Sequence, residues 1–162
     1  MPRTYEPIAS TILSAGTATI EFTSIPQTYT DLVFVVFGKN TVAATNIQLR
    51  FNSDTGSNYS NTSLTGNGSS ASSGRSSNVT YSFIGDLGAG SEYSTIVTQI
   101  LNYSNTTTFK TLISRSNLAS IQVILRALLW RSTSAITSIQ VSCQSDSLAS
   151  GSTFTLYGIK AA

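Results

Sequence analysis

The chain has 162 residues, of which 40% are hydrophobic and only 10% charged, with no histidine and a single cysteine. That length suits one domain, and the missing histidine beside a lone thiol excludes zinc fingers, His-ligated metal sites, Ser-His-Asp hydrolases and Cys-His nucleophiles. A net charge of +2 from 9 basic and 7 acidic residues, with no Lys/Arg cluster, leaves no electrostatic footprint for nucleic acid or an anionic membrane.

The N-terminal MPRTYEPIAST contains no apolar h-region, so no secretory signal is expected, and residues 1–7 read as an extended arm. Thr19 to Ile25 alternates, with Ile20 and Phe22 on one face. Leu32 to Phe37 is a continuous β-branched and aromatic run, the pattern of a strand covered on both faces. Ile47, Leu49 and Phe51 alternate with Gln48, Arg50 and Asn52 as a half-buried strand.

From Asn52 to Asn78 the rhythm breaks. This segment is almost wholly Ser, Asn, Gly and Thr, with Tyr59 and Leu64 as its large apolar residues, and it reads as one long loop or loop pair, either functional or ordered by a neighbour, or else a mobile surface loop. Its start, Asn52 to Asn58, imitates a calcium loop. Ser57 stands at the position of the required Gly and Ser63 at that of the bidentate Glu, so no metal is expected.

Further strands are predicted at Tyr81 to Ile84, Thr95 to Tyr103, Phe109 to Arg115, Ile121 to Trp130, Ile136 to Cys143 and Thr153 to Ile159. Ser104 to Thr107 makes Thr95 to Arg115 a hairpin. Trp130 to Ala135 joins the next two runs in a similar way, with some helix ambiguity at Ala127-Leu128-Leu129. Neither apolar run, Leu32 to Phe37 or the Ile121 to Trp130 stretch that Gln122 and Arg126 interrupt, spans a bilayer. Eight to ten strands at this spacing predict an all-β antiparallel sandwich, in jelly-roll form.

Candidate chemistry is sparse. The Asn-x-Ser/Thr triplets starting at Asn58, Asn61, Asn67, Asn78, Asn102 and Asn105 follow from a chain nearly a third Ser and Thr. The carboxylates are scattered singly, so a glycosidase pair would have to be assembled from distant strands. Gly66-Asn67-Gly68 and Gly85 to Gly90 read as turns, and Cys143 as a buried, inert thiol. Phe22, Phe34, Phe51, Phe109 and Phe154 are expected in the core, whereas Tyr5, Tyr29, Tyr59, Tyr93 and Tyr103 sit at strand ends or in loops, where they suit a rim or an interface.

The stretches TYEPIAST (4–11), FTSIPQTYTDLV (22–33), FNSDTGSNYS (51–60), GNGSSASSGRSSN (66–78), LNYSNTTTFKT (101–111), LLWRSTSAITSI (128–139) and GSTFTLYGIKAA (151–162) resemble a family of small virion structural proteins of tailed phages, especially those of cyanobacteria and other aquatic bacteria. The resemblance spans the whole chain. It implies an oligomeric jelly roll, a trimer by its setting, located in the virion after assembly in the host cytoplasm, with major capsid protein or other virion proteins as partners. It carries no catalytic motif and no cofactor. The expected function is therefore a non-enzymatic capsid decoration, or cement, protein. The alternative is a tail-fibre or receptor-binding module for a host glycan. The expected partner contacts are Arg3 and Tyr5 on the arm, and Asp54, Asn58, Tyr59 and Arg75 in the 52–78 segment.

Overall fold

The computed structural model describes residues 4–160, which form twelve strands and no helix. In chain order these are β1 (Tyr5–Ile12), β2 (Thr19–Phe22), β3 (Asp31–Gly38), β4 (Thr45–Phe51), β5 (Tyr59–Gly66), β6 (Ala71–Val79), β7 (Ser82–Leu87), β8 (Ser94–Leu101), β9 (Lys110–Leu118), β10 (Gln122–Trp130), β11 (Ile139–Cys143) and β12 (Thr153–Ile159). An eight-stranded sheet runs β1-β12-β3-β8-β9-β10-β5-β6, and a four-stranded sheet runs β2-β11-β4-β7. Every ladder is antiparallel.

The core lies between the two sheets, and period-two alternation builds it from both sides. The large sheet sends in Leu32, Phe34, Val36, Ile96, Ile100, Leu112, Leu128, Trp130, Phe154 and Leu156. The small sheet answers with Ile20, Phe22, Ile47, Leu49, Phe51, Ile84, Ile139 and Val141. Aromatic rings cluster at one end, where Trp130 lies 5.3 Å from Phe51 and 6.3 Å from Tyr59 between ring centroids. Pro7 is placed where proline is tolerated, on an edge strand and beside a register shift between Pro7 and Ala9.

Several expectations are corrected. The chain is an all-β sandwich, but of twelve strands divided eight and four rather than the eight to ten of the expected jelly roll. The 52–78 segment is not a long loop: after a short turn it forms the β5–β6 hairpin, closed at Asn67, whose Oδ1 accepts from the Ser69 and Ser70 amides at 3.0 and 2.8 Å. Its backbone ladder needs no apolar side chains, so hydrophobic alternation could not reveal it. Tyr5, Glu6 and Pro7 are likewise no free arm but are paired with Ile159, Gly158 and Tyr157. Trp130 to Ala135 carries the chain from the large sheet to the small one rather than closing a hairpin. Gly85 to Leu87 belongs to β7, leaving the turn to Gly88 to Gly90. In β3 Leu32, Phe34 and Val36 face the core and Val33 is buried on the other face, so cover on both faces holds there, whereas Phe37 is half exposed.

Phe109 is also exposed, and its neighbour Lys110 points inward instead. The Lys110 Nζ donates to the carbonyls of Thr108 (2.9 Å) and Thr133 (3.2 Å), and burial pushes its pKa below the usual lysine range.

Gly85 lies at a close approach between the two sheets. A Cβ there would sit 2.6 Å from Ser116 Cβ and 2.9 Å from Ile96 Cδ1. We expect Gly85→Ala to destabilise the fold by about 1–3 kcal/mol through overpacking. Urea unfolding checks this, and an unchanged midpoint refutes it.

Candidate interaction face

The large sheet is wider than the small one. Strand β7 packs under β9, β8, β10 and part of β5. Beyond it, β6 is exposed along nearly its whole length. The inward face of β8, β9 and β10 is therefore sealed, whereas their outward face meets solvent.

That outward face is apolar. Strand registers place Leu64, Leu125, Arg115, Val97 and Val35 side by side across β5, β10, β9, β8 and β3. The next row on one side holds Val123, and the row on the other holds Ile113 and Ala127. Leu64, Ile113, Val123 and Leu125 are 55%, 51%, 60% and 50% exposed, far from the isolated surface aliphatics of an ordinary monomer. Around them the surface is concave, with a groove of about 690 Å³ over Leu64, Val97, Val123 and Leu125. A second depression of about 350 Å³ continues over Ile113, Ala127 and Leu129.

The charges at this face are basic. Arg115 lines the groove and Arg75 the second depression, each without a hydrogen-bond or ion-pair partner among the described residues. No carboxylate lines either one. The face thus offers aliphatic area set with two free guanidinium groups, and its complement is an apolar surface carrying a carboxylate.

The residues expected as contacts divide differently. Arg3 lies outside the described residues. Tyr5 is 57% exposed on β1, at the far edge of the large sheet from the groove. Arg75 is exposed on β6 and borders the face. Tyr59 is no contact residue: it is fully buried, its hydroxyl accepts from the Phe51 amide at 3.0 Å, and burial pushes its phenol up to about 12. Tyr103 is buried as well, its hydroxyl donating to the Pro26 carbonyl.

Asp54 and Asn58 are turned to each other rather than outward. The Asp54 carboxylate accepts from Trp130 Nε1 (2.7 Å), Asn58 Nδ2 (2.9 Å) and the Gly56 amide (2.8 Å). Burial alone would raise its pKa, but these three donors outweigh it and hold the carboxyl below its ordinary range. The seeming calcium loop is thus a staple tying the β4–β5 turn to β10.

Of the other carboxylates, five are engaged in the same structural way, and Glu21 is exposed on β2 with no such partner among the described residues. Glu92 accepts from Ser120, Asp146 from Thr41 and the Val42 amide, Asp31 from the Asn102 amide, Glu6 from Lys160 and Tyr29, and Asp86 from Arg126 and Gln122. The Cys143 thiol is buried, donates to Asn40 Oδ1 at 2.7 Å, and is pushed up to about 12 by burial and by the nearby Asp146 charge.

The residues that make the face, Leu64, Ile113, Val123 and Leu125, escaped the sequence reading, although a signal was present. From Ile121 to Trp130 both alternation sets are rich in apolar residues, and a two-layer sandwich can bury only one of them.

Fold and face together define an all-β sandwich with one exposed apolar, concave face. No protein-family model matches the chain, and no curated protein matches it. Among solved structures the likeness is low. Alginate lyase Aly36B, as a doubly substituted variant with alginate tetrasaccharide, aligns at 8% identity and TM-score 0.34 over 94% of this chain and 80% of that one. Aly36B itself aligns at 5% identity and TM-score 0.30 over 93% and 79%. A protein of unknown function from Shewanella oneidensis MR-1 aligns at 12% identity and TM-score 0.26 over 98% and 71%. Scores at this level leave fold and activity to be argued from the chain itself.

Proposed function

We propose that the chain is a non-enzymatic virion structural protein that docks through the outward face of β5, β10, β9 and β8 and acts as a capsid decoration, or cement, protein. The exposed aliphatic field of Leu64, Ile113, Val123 and Leu125 carries this reading. Removing such a field from water drives association, and a protein bound across neighbouring shell subunits stabilises them by mass action. The resemblance of the sequence to phage virion proteins supplies the setting. The carboxylates accepting structural hydrogen bonds accord with a role that needs surface rather than catalysis.

The test is the rupture temperature of phage heads lacking the protein, after adding back the native chain or Leu125→Asp. We expect the native chain to raise the rupture temperature, and Leu125→Asp, which puts a charge on an exposed strand position without touching the core, to bind at least tenfold more weakly and give no rise. Equal rupture temperatures with and without the native chain would overturn the cement role.

A second reading has its own observation. Phe37, 50% exposed, stacks on Tyr93 at 4.8 Å, with Lys39 Nζ 4.9 Å above the Tyr93 ring. Such a ledge suits a sugar ring and supports a tail-fibre module for a host glycan. Glycan-array binding that Phe37→Ala abolishes would favour it over cement.

A further inference from the structure

We infer that β6 is the seam of a twofold dimer, in which the β6 strands of two copies pair antiparallel, centred on Gly74, and join two eight-stranded sheets into one. This goes beyond the docking role above and uses the edge of the sheet rather than its outward face, with Arg75 common to both.

The open edge of the sheet is the starting point. Strand β6 is nine residues long, ends the large sheet, and has no strand beyond it among the described residues. Its outer backbone groups therefore lack a ladder partner. Residues 71–75, 77 and 78 are exposed, so no apolar layer holds the strand down, and its partner β5 supplies the pairing it has. Natural edges of this length are usually blunted by proline, inward charges, bulges or a covering segment. From Ala71 to Ser77 this one has none of these, and the exposed Arg75 is its one edge charge. Its register is regular from Ser77 to Ala71, and the irregularity lies at its far end, where Asn78 has a φ of 57°.

Symmetry then selects the partner and the register. Residues opposite each other in an antiparallel pair share a face, so a twofold axis must pass between a residue and its own copy. Centring on Arg75 would set two guanidinium groups face to face, which is unfavourable. Centring on Gly74 places Ser73 opposite the partner's Arg75, Ser72 opposite the partner's Ser76 and Ala71 opposite the partner's Ser77. Every such pair is small, hydroxylic or singly charged, and Ser72 with Ser76 forms the kind of cross-strand hydroxyl pair that stabilises sheets. Such edge pairing is self-complementary about a twofold axis, so it closes as a dimer rather than the threefold ring expected from the resemblance.

Two sets of variants test this. A Cβ at Gly74 meets Ser63 Oγ at 3.4 Å as its nearest neighbour, so Gly74→Cys fits. The buried Cys143 does not compete for oxidant. Under mild oxidation Gly74→Cys is expected to give a disulfide dimer at least tenfold faster than Ser72→Cys, whose copies lie four residues apart in register. By light scattering, the native chain is expected to be dimeric, Ser73→Arg to weaken dimerisation at least tenfold by facing the partner's Arg75, and Ser73→Arg with Arg75→Ser to restore it. These exposed strand substitutions leave the core untouched. A monomeric native chain, equal crosslinking at 72 and 74, or failure of the charge swap to restore the dimer would overturn the proposal. Loss of head binding by Leu125→Asp with dimerisation intact separates it from the docking role.

Discussion

Arg126→Met is expected to destabilise the protein by about 3–5 kcal/mol at neutral pH, because it strands a carboxylate between the sheets. Arg126 is buried on the inward face of β10, and its NH2 reaches Asp86 Oδ1 at 3.2 Å and Asn46 Oδ1 at 3.0 Å. Asp86 also receives Gln122 Nε2 at 2.6 Å. Burial raises the Asp86 pKa even against the Arg126 charge, and lowers the Arg126 pKa even against Asp86. In both partners desolvation therefore outweighs attraction, and the buried Arg126 Nε has no acceptor.

A contrast follows within one pair. Removing one partner is costly, yet Arg126→Met with Asp86→Leu is expected to be neutral or to gain up to about 4 kcal/mol, since no charge remains to desolvate. The pH dependence has a definite sign. A carboxyl whose folded pKa is raised contributes stability that is complete below its unfolded pKa and is lost as pH rises through the folded one. With Arg126 gone the raised Asp86 pKa climbs further, so the Arg126→Met deficit shrinks on acidification as Asp86 takes up its proton. Urea unfolding of both variants against pH checks this. A deficit that stays constant with pH would place the loss in packing rather than charge.

Asp54→Ala is the second large effect, about 2–4 kcal/mol. Its carboxylate accepts three hydrogen bonds, and hydrogen bonds to a charged group contribute about 1.5–3 kcal/mol each in favourable cases. Trp130 is fully enclosed, so its indole N–H loses its partner with little access to water. Here the pH sign is opposite. The Asp54 pKa is held down in the fold, so its contribution is present above the ordinary carboxylate range and is lost as pH falls through the lowered value. The Asp54→Ala deficit should therefore also shrink in acid, but only below the range where Asp86 titrates. Asp54→Asn, which keeps one acceptor oxygen, should recover part of the loss. Trp130 fluorescence during urea unfolding follows both variants.

Much of the fold was legible because apolar side chains mark one face of a strand. Strands β2, β4, β7, β11 and β12 were read within a few residues on that signal. It failed in two physically distinct ways. Strands β5 and β6 are held by backbone pairing and carry Ser, Thr, Asn and Gly, so no hydrophobic pattern marks them. At Phe109-Lys110 the strand was recognised but its phase was not, since Phe109, Leu112 and Ile113 place apolar residues on both faces. The exposed apolar face was missed for a related reason. An apolar residue announces that it avoids water, but not whether its own chain or another molecule provides the cover. Of the expected contacts, Arg75 alone borders the face, and Tyr59 and Asp54 proved to be internal fasteners.

Strand β12 imposes an order on biosynthesis. It lies between β1 and β3, pairing with β1 on one side and with residues 31–37 on the other. The last strand of the described residues is thus the one that joins β1 to the rest of the large sheet. Until residues through Ile159 have left the ribosome, β1 has no place in the sheet and β3 keeps an open edge, so a nascent chain waits with unpaired strands exposed. Completion of the large sheet therefore waits for β12 by topology, and stalling a ribosome before β12 emerges should leave residues 5–12 open to protease.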